Sequence, residues 1–137
     1  MKRPVLADAR GIPLAVPLSA ANVHDKWLLA PTLDAVVLSG GGGPRRPRHC
    51  CLDKGYAFAD CVATLRRRRI IPHIRQKGEP PLLGRVHGRP RRWVIERTNS
   101  WHHRFRGLLI RWERKASNYL ALVHLACALL CYQHSRF

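Results

Sequence analysis

The order of strand-like and helix-like patterns limits this chain to a fold that mixes both. Short apolar runs bounded by Gly and Pro alternate with stretches whose apolar residues repeat at helical spacing. In chain order the patterns predict strands at 4–9 and 12–20, a helix at 25–37, a strand at 49–53, a helix at 58–69, a strand at 70–74 and helices at 93–113 and 117–133. Strands that alternate with helices in this way predict an α/β layer fold.

Several local signals refine this prediction. Arg10-Gly11 separates the first two strands and is typical of a β-hairpin turn, while Pro13 and Pro17 favour an edge strand or a bulged strand for the second. Asp25 is the predicted N-cap of the first helix. The last helix is apolar nearly all round, so we expect it to be buried.

The length of 137 residues corresponds to about one domain, which we predict to span 1–137. Within it, the stretches 39–48 and 76–92 are rich in Gly, Pro and Arg, and they are predicted to be flexible basic loops.

Charge is the first indication of function. Lys and Arg number 25 and Asp and Glu only 8, which gives a formal net charge of +17. Such a surface attracts polyanions, of which nucleic acid is the commonest. The alternative is a merely basic protein whose arginines reflect a GC-rich coding sequence.

The compartment follows from what the sequence does not contain. Its opening residues are not those of a signal peptide, and we find no apolar run of the ~18–20 residues that a membrane span needs. The five cysteines are odd in number and form no CxxC pair, which favours reduced thiols. We therefore expect a cytoplasmic, nucleoid-associated protein without a membrane partner.

Acidic residues are scarce, so two of them are informative. Asp53 ends a predicted strand, where ligands bind in open α/β sheets, and its oxygens suit a hard cation such as Mg²⁺. Glu96 lies on the long predicted helix, on a face away from the apolar stripe. The alternatives are a turn cap for Asp53 and local pairing with arginines for Glu96. If the two carboxylates meet, they form a metal site suited to phosphoryl transfer.

Basic side chains flank both acids and suit contacts to phosphate, although any single arginine is more often a solvated surface charge. The flanking set is Arg66–Arg69, Arg75, Lys77, Arg85, Arg89, Arg91 and Arg92. Trp93 suits stacking on a base, but core packing is the commoner role. His102 and His103 are expected to be surface histidines.

Five motifs, in order, resemble the C-terminal part of bacterial insertion-sequence transposases of the DDE class, in the insertion-sequence-five-like group. The motifs are Asp8-Ala9-Arg10-Gly11-Ile12-Pro13-Leu14, Ala21-Asn22-Val23-His24-Asp25, Leu52-Asp53-Lys54-Gly55-Tyr56, Arg91-Arg92-Trp93-Val94-Ile95-Glu96-Arg97-Thr98, and Asn118-Tyr119-Leu120-Ala121 with Leu125-Ala126-Cys127-Ala128-Leu129. The resemblance covers nearly the whole chain.

The resemblance implies an RNase H-like fold, a mixed sheet flanked by helices, in which three acids bind Mg²⁺ or Mn²⁺. Such enzymes nick DNA at the ends of the element and join the 3′-hydroxyl to target DNA. The second acid of the set corresponds to Asp53 and the glutamate to Glu96. These two residues are therefore the predicted catalytic and metal-binding residues.

The resemblance also implies DNA contacts around Glu96. Arg92 matches a basic position of the family, and the basic position seven residues after the glutamate falls on His103, beside Arg104. A tyrosine of related groups falls on Arg89, so the signature departs there. The predicted DNA-binding residues are Arg89, Arg91, Arg92, Arg97, His103 and Arg104.

The family's first catalytic aspartate lies on a strand upstream of the hairpin that opens this chain. The context of Asp8 matches the family's second strand. The resemblance therefore implies a sheet truncated at its N-terminus, and a fragment that is inactive alone unless an upstream-frame protein or a homo-oligomer completes it. The alternative is a non-catalytic, basic DNA-binding or regulatory fragment.

Overall fold

The fold was analysed in a computed structural model that describes residues 1–36, 39–40, 43–44, 47–74 and 92–134. Its strands are β1 (Leu6–Ala7), β2 (Pro13–Ala15), β3 (Ser39–Gly40), β4 (Gly43–Pro44), β5 (His49–Leu52) and β6 (Ile71–Ile74). Its helices are α1 (Asp25–Asp34), α2 (Ala59–Arg67), α3 (Arg92–His103), α4 (Arg106–Leu109) and α5 (Ala116–His134), with a 3₁₀ turn at Lys54–Tyr56. The predicted mixture of helices and strands is confirmed.

The described strands pair two by two. β1 and β2 are antiparallel, β3 and β4 are antiparallel, and β5 and β6 are parallel, joined through α2. The single mixed sheet that the family resemblance implies is not formed by these strands. β1 is only two residues long and its pairing with β2 shifts register between Leu6 and Ala7, so it offers little regular backbone to a third strand.

Two apolar clusters lie on either side of the β1–β2 hairpin. The first joins α1, α2, β5 and β6 through buried residues that include Leu33, Cys50 and Leu65, and Leu6 of β1 packs against it. The second joins Val16, directly after β2, to α4 and α5 around Val123, which is fully buried. The hairpin therefore connects the half of the fold that contains Asp53 to the half that contains the last helices.

The long helix predicted over 93–113 is wrong in its length. α3 ends at His103 because the backbone N–H groups of Arg104 and Phe105 bond to carbonyls only three residues back, which tightens the final turn. Phe105 is extended, and the short helix α4 follows it. This bend brings Leu108 into the second cluster, where its carbonyl accepts a hydrogen bond from the Tyr119 hydroxyl at 3.1 Å.

Two smaller predictions are also corrected. His24, not Asp25, caps α1, since the Lys26 backbone N–H bonds to His24 Nδ1 at 3.2 Å. Asp25 is instead the first helical residue, and it is ion-paired with Lys2. Within the predicted loop 39–48, the two-residue strands β3 and β4 pair in an antiparallel arrangement. Of the second predicted loop, 76–91 lies outside the described residues.

The prediction that α5 is buried all round is wrong. One side packs against β2, α3 and α4 and buries Tyr119, Val123, Ala126 and Leu130. The other side exposes Leu122, Leu125, Leu129 and Tyr132, because no described element packs there. By length and apolar composition alone, α5 could cross a membrane, although we expected no segment to be long and apolar enough. Of its most apolar stretch, 22% is buried inside the protein. Core helices of soluble proteins can have the same length and composition, so these two properties do not by themselves indicate a membrane span.

One close approach fixes α3 on the hairpin. Thr98 is fully buried, and its hydroxyl lies 2.6 Å from the Gly11 carbonyl oxygen and 3.1 Å from the Val94 carbonyl oxygen. Gly11 has φ +89°, in the left-handed region that favours glycine. A Cβ at Gly11 would lie 3.2 Å from the Thr98 hydroxyl oxygen. Both the conformation and the packing of this turn therefore require glycine.

We expect Gly11→Ala to lower the free energy of unfolding by about 1–2 kcal/mol, because an L side chain is strained at positive φ. Urea denaturation measures this change. Gly107→Ala is the matched control, since Gly107 is in α4 and has no heavy atom within 4 Å of a built Cβ. That change is expected to be neutral or stabilising. Equal destabilisation by the two variants would contradict the proposed role of the turn.

Candidate active site and nucleic-acid interface

Asp53 lies at the carboxyl end of β5 and caps the 3₁₀ turn that follows. Its carboxylate oxygen Oδ1 accepts a hydrogen bond from the Lys54 backbone N–H at 2.6 Å, and the residue is exposed. The structure therefore shows the capping role that the sequence left open. One accepted hydrogen bond does not use up the acceptor capacity of a carboxylate, so the cap does not exclude a metal ligand.

The turn that begins at Asp53 packs against the start of α1. A Cβ at Gly55 would lie 3.7 Å from Asp25 Oδ2, and the other carboxylate oxygen of Asp25 accepts a hydrogen bond from Lys2 Nζ at 2.9 Å. Burial, followed by the nearby charge of Asp25, raises the pKa of Tyr56 to about 12. Tyr56, the last residue of this turn, is therefore a neutral phenol. Two motifs of the sequence, Asn-Val-His-Asp and Asp-Lys-Gly-Tyr, thus meet in space.

Glu96 is exposed in the first half of α3. Val94 and Thr98 form the buried side of the helix, against the β1–β2 turn. Glu96 is therefore held on a helix that the hairpin positions. Its exposure agrees with its predicted place away from the apolar stripe.

The hairpin lies between the elements that contain the two acids. Leu6 of β1 packs against the first apolar cluster, as does Leu52, the residue directly before Asp53. β1 also contacts α3, the helix that contains Glu96. Among the described residues, His, Cys, Asp and Glu form no group of three or more able to hold a metal. Asp53 and Glu96 offer the oxygen atoms that Mg²⁺ prefers, and their convergence on one ion stays a prediction.

The predicted DNA-binding residues are distributed around α3. Arg97, His103 and Arg104 are exposed, Arg92 is the first residue of the helix, and Arg89 and Arg91 lie outside the described residues. The Arg97 guanidinium lies 4.3 Å from the centroid of the Trp93 ring. Its Nη1 atom lies 3.5 Å from the Arg10 carbonyl oxygen.

Two aromatic side chains differ from the prediction. Trp93, for which core packing is the commoner role, is 36% exposed and does not belong to the core. His102, expected at the surface, is buried with its Nε2 3.4 Å from Cys127 Sγ. Burial, reinforced by Arg3 and His103, lowers the pKa of His102. These differences depend on how α3 and α5 pack, which helical spacing alone does not reveal.

Sequence reasoning also missed the role of Thr98. The residue ends the motif that contains Glu96, and Gly11 stands in the motif that opens the chain. The only indication in the sequence that these two residues matter was that both belong to motifs of the same family pattern. The contact between them shows that two motifs 87 positions apart form one packed unit.

Comparison with known proteins decides the family. Residues 1–131 match the family model for the transposase DDE domain. The chain belongs to the transposase DDE domain family. It is 40% identical over 140 residues to a Burkholderia cepacia protein whose name assigns it as a transposase for insertion sequence element IS402. That alignment covers 98% of this chain and 64% of the relative, so the chain spans less than two thirds of the relative's length.

No solved structure matches the chain. The sequence matches confirm the insertion-sequence DDE transposase resemblance that the five motifs carried. Both Asp53 and Glu96 lie within the matched range of this transposase domain.

The buried His102 predicts a pH dependence of stability. Its folded-state pKa lies below the ordinary value of 6.5, so the unfolded chain binds the proton more readily. The contribution of this group is present above about pH 6.5 and is lost as pH falls towards the lower folded-state pKa. His102→Gln should therefore flatten the loss of unfolding free energy on acidification, measured by urea titrations at several pH values.

An exposed histidine on another helix provides the control for this experiment. His124→Gln removes an imidazole from the exposed part of α5, which is not among the groups that lower the pKa of His102, and should leave the pH dependence as it is in the parent chain. A His102→Gln variant with an unchanged pH profile would show that burial of this ring is not linked to protonation.

Proposed function

We propose that this chain forms part of a transposase catalytic centre that cleaves DNA at insertion-sequence ends and transfers the strand to target DNA, with Asp53 and Glu96 as metal-binding carboxylates. The observation that supports this most is the family match over residues 1–131, which includes both acid-bearing motifs. Because the chain spans 64% of its relative's length, the activity of a whole transposase is itself part of the proposal.

The donor set fits a hard divalent cation. Asp53 and Glu96 are both exposed carboxylates, and each is positioned by an element that packs on the β1–β2 hairpin. Bound Mg²⁺ or Mn²⁺ supplies activation of the attacking hydroxyl and stabilisation of the leaving oxygen. The two residues of this chain would hold the ion at the end of β5, with the Lys54 N–H orienting the Asp53 carboxylate.

The third acid of a DDE set is proposed to come from outside the described residues. Asp8 accepts hydrogen bonds from the backbone N–H groups of Arg10 and Ile12 and so closes the hairpin turn. Asp25 is paired with Lys2, and Asp34 with Arg68. These carboxylates already have structural roles. We propose that a carboxylate beyond the described residues, in this protein or in a partner chain, provides the third ligand.

DNA is the proposed partner because the chain is strongly basic and exposed basic side chains lie on the same helix as Glu96, or just after it. The net charge is +17, and Arg97, His103 and Arg104 are exposed on or just after the helix that contains Glu96. Guanidinium groups contact phosphates without reading sequence, so they would place the backbone of DNA near the carboxylates. This positioning requires no base-specific contact.

Metal binding tests the site directly. Asp53→Asn and Glu96→Gln should each lower the affinity for Mn²⁺ by at least about tenfold, measured by electron paramagnetic resonance of free Mn²⁺. The amide oxygen that Asp53→Asn introduces can still cap the turn, so the fold should persist. Asp60→Asn, an exposed carboxylate in the first turn of α2, is the control that should leave Mn²⁺ affinity unchanged. Equal losses in all three variants would contradict a shared site.

DNA binding should depend strongly on salt. Arg104→Ala should weaken binding to all DNA sequences alike and reduce the slope of log affinity against log salt by about 1, as expected for one lost phosphate contact. Arg68→Ala removes the same charge, but Arg68 is already paired with Asp34, so the slope should not change. An Arg104→Ala variant with the parent slope would remove this residue from the interface.

A second candidate function follows from the charge alone. With +17, a basic fragment binds DNA without using any carboxylate, and would act as a DNA-binding or regulatory piece. A nicking assay on DNA that contains the element's ends, with Mg²⁺, separates the two functions. Salt-dependent DNA binding, observed together with neither nicking nor Mn²⁺ binding, favours this second candidate.

A further inference from the structure

An aromatic ladder lies along the surface of α3. Trp93, Arg97 and Trp101 follow one another at intervals of four residues, so they share one side of the helix. The Arg97 guanidinium lies 4.3 Å from the Trp93 ring centroid and 5.8 Å from that of Trp101. Trp101 in turn stacks on His134 of α5, with centroids 4.0 Å apart and planes 14° apart. We call these four residues the aromatic ladder.

The exposed end of the ladder is Trp93. This indole is 36% exposed, whereas Val94 and Thr98 form the buried side of the helix. Arg97 covers part of Trp93, and its Nη1 also lies 3.5 Å from the Arg10 carbonyl oxygen. The indole is therefore held in position before any ligand arrives, which reduces the entropy lost on binding.

The ladder is adjacent to the proposed catalytic carboxylate. At 100° per residue, Glu96 is offset from Trp93 by about 60° around the helix. Arg97 has five N–H donors, and the described hydrogen bond to Arg10 uses one nitrogen, so donors are left for a phosphate. A flat π-surface, a guanidinium and a carboxylate thus lie on neighbouring positions of one helix.

We propose that Trp93, supported by Arg97, is a stacking site for an unpaired nucleotide base next to the strand that is cut. Aromatic side chains stack on bases of any sequence, and arginine adds a cation–π contribution. A base inside a duplex cannot reach such a surface, so the site recognises DNA in which one nucleotide is unstacked. The inference rests on the proposed function, and it adds that the preferred substrate has an unpaired nucleotide.

The test uses the full chain and a duplex with one unpaired 2-aminopurine nucleotide. Stacking on Trp93 should quench the fluorescence of this base when the protein binds. Trp93→Leu should abolish the quench and lower affinity for this DNA about tenfold, while affinity for the fully paired duplex stays unchanged. Trp93→Phe should retain most of the quench, because a smaller aromatic ring still stacks.

Trp112→Leu is the matched control, since Trp112 is 79% exposed and lies outside the aromatic ladder. It should leave both the quench and the affinities as they are in the parent chain. A quench that survives in Trp93→Leu, or that is lost equally in Trp112→Leu, overturns the inference.

The failure of this inference can be told from the failure of the proposed function. If the parent chain binds paired duplex with the expected salt dependence but neither quenches 2-aminopurine nor prefers the unpaired nucleotide, only the stacking site is refuted. If the parent chain binds neither the paired duplex nor the duplex with an unpaired nucleotide, the proposed action on DNA and the stacking site are both refuted.

Discussion

The contact between Gly11 and Thr98 determines where α3 lies, and most of the site depends on α3. The fully buried Thr98 hydroxyl donates a hydrogen bond to the Gly11 carbonyl, 87 positions away in the chain. It reaches that carbonyl because Gly11 has no side chain and adopts a positive φ. Glu96 is two residues from this contact, and Arg97 lies directly beside it. A change in this turn would therefore displace the carboxylate and the aromatic ladder together.

The β1–β2 hairpin extends this constraint to the other acid. Its apolar residues pack into both clusters, with Leu6 towards β5 and Val16 towards α5. The Asp8 carboxylate closes the turn, and Asp25 is neutralised by Lys2 next to the Asp53 turn. In a chain with a net charge of +17, Asp8 and Asp25 stabilise local structure, Asp53 caps its turn, and both Asp53 and Glu96 are exposed.

Local patterns predicted the elements whose limits are set locally. β5, α2 and β6 fall within about two residues of the predicted bounds, since turn residues and helical spacing define them. The end of α3 and the exposed side of α5 were not predictable, because they follow from how Phe105 bends the chain and from which elements pack on α5. The family motifs identified the transposase domain, and they predict Asp53 and Glu96 as its acids. The role of Thr98 needed the tertiary contact with Gly11.

The central claim is that Asp53 and Glu96 bind one divalent ion between them. A crystal of the chain soaked in Mn²⁺ and measured at the manganese absorption edge tests it most directly. The account predicts an anomalous difference peak with oxygens of both carboxylates within about 2.0–2.6 Å. Carboxylates more than about 10 Å apart would contradict the account, because two oxygens that each lie within about 2.6 Å of one ion are at most about 5 Å from each other.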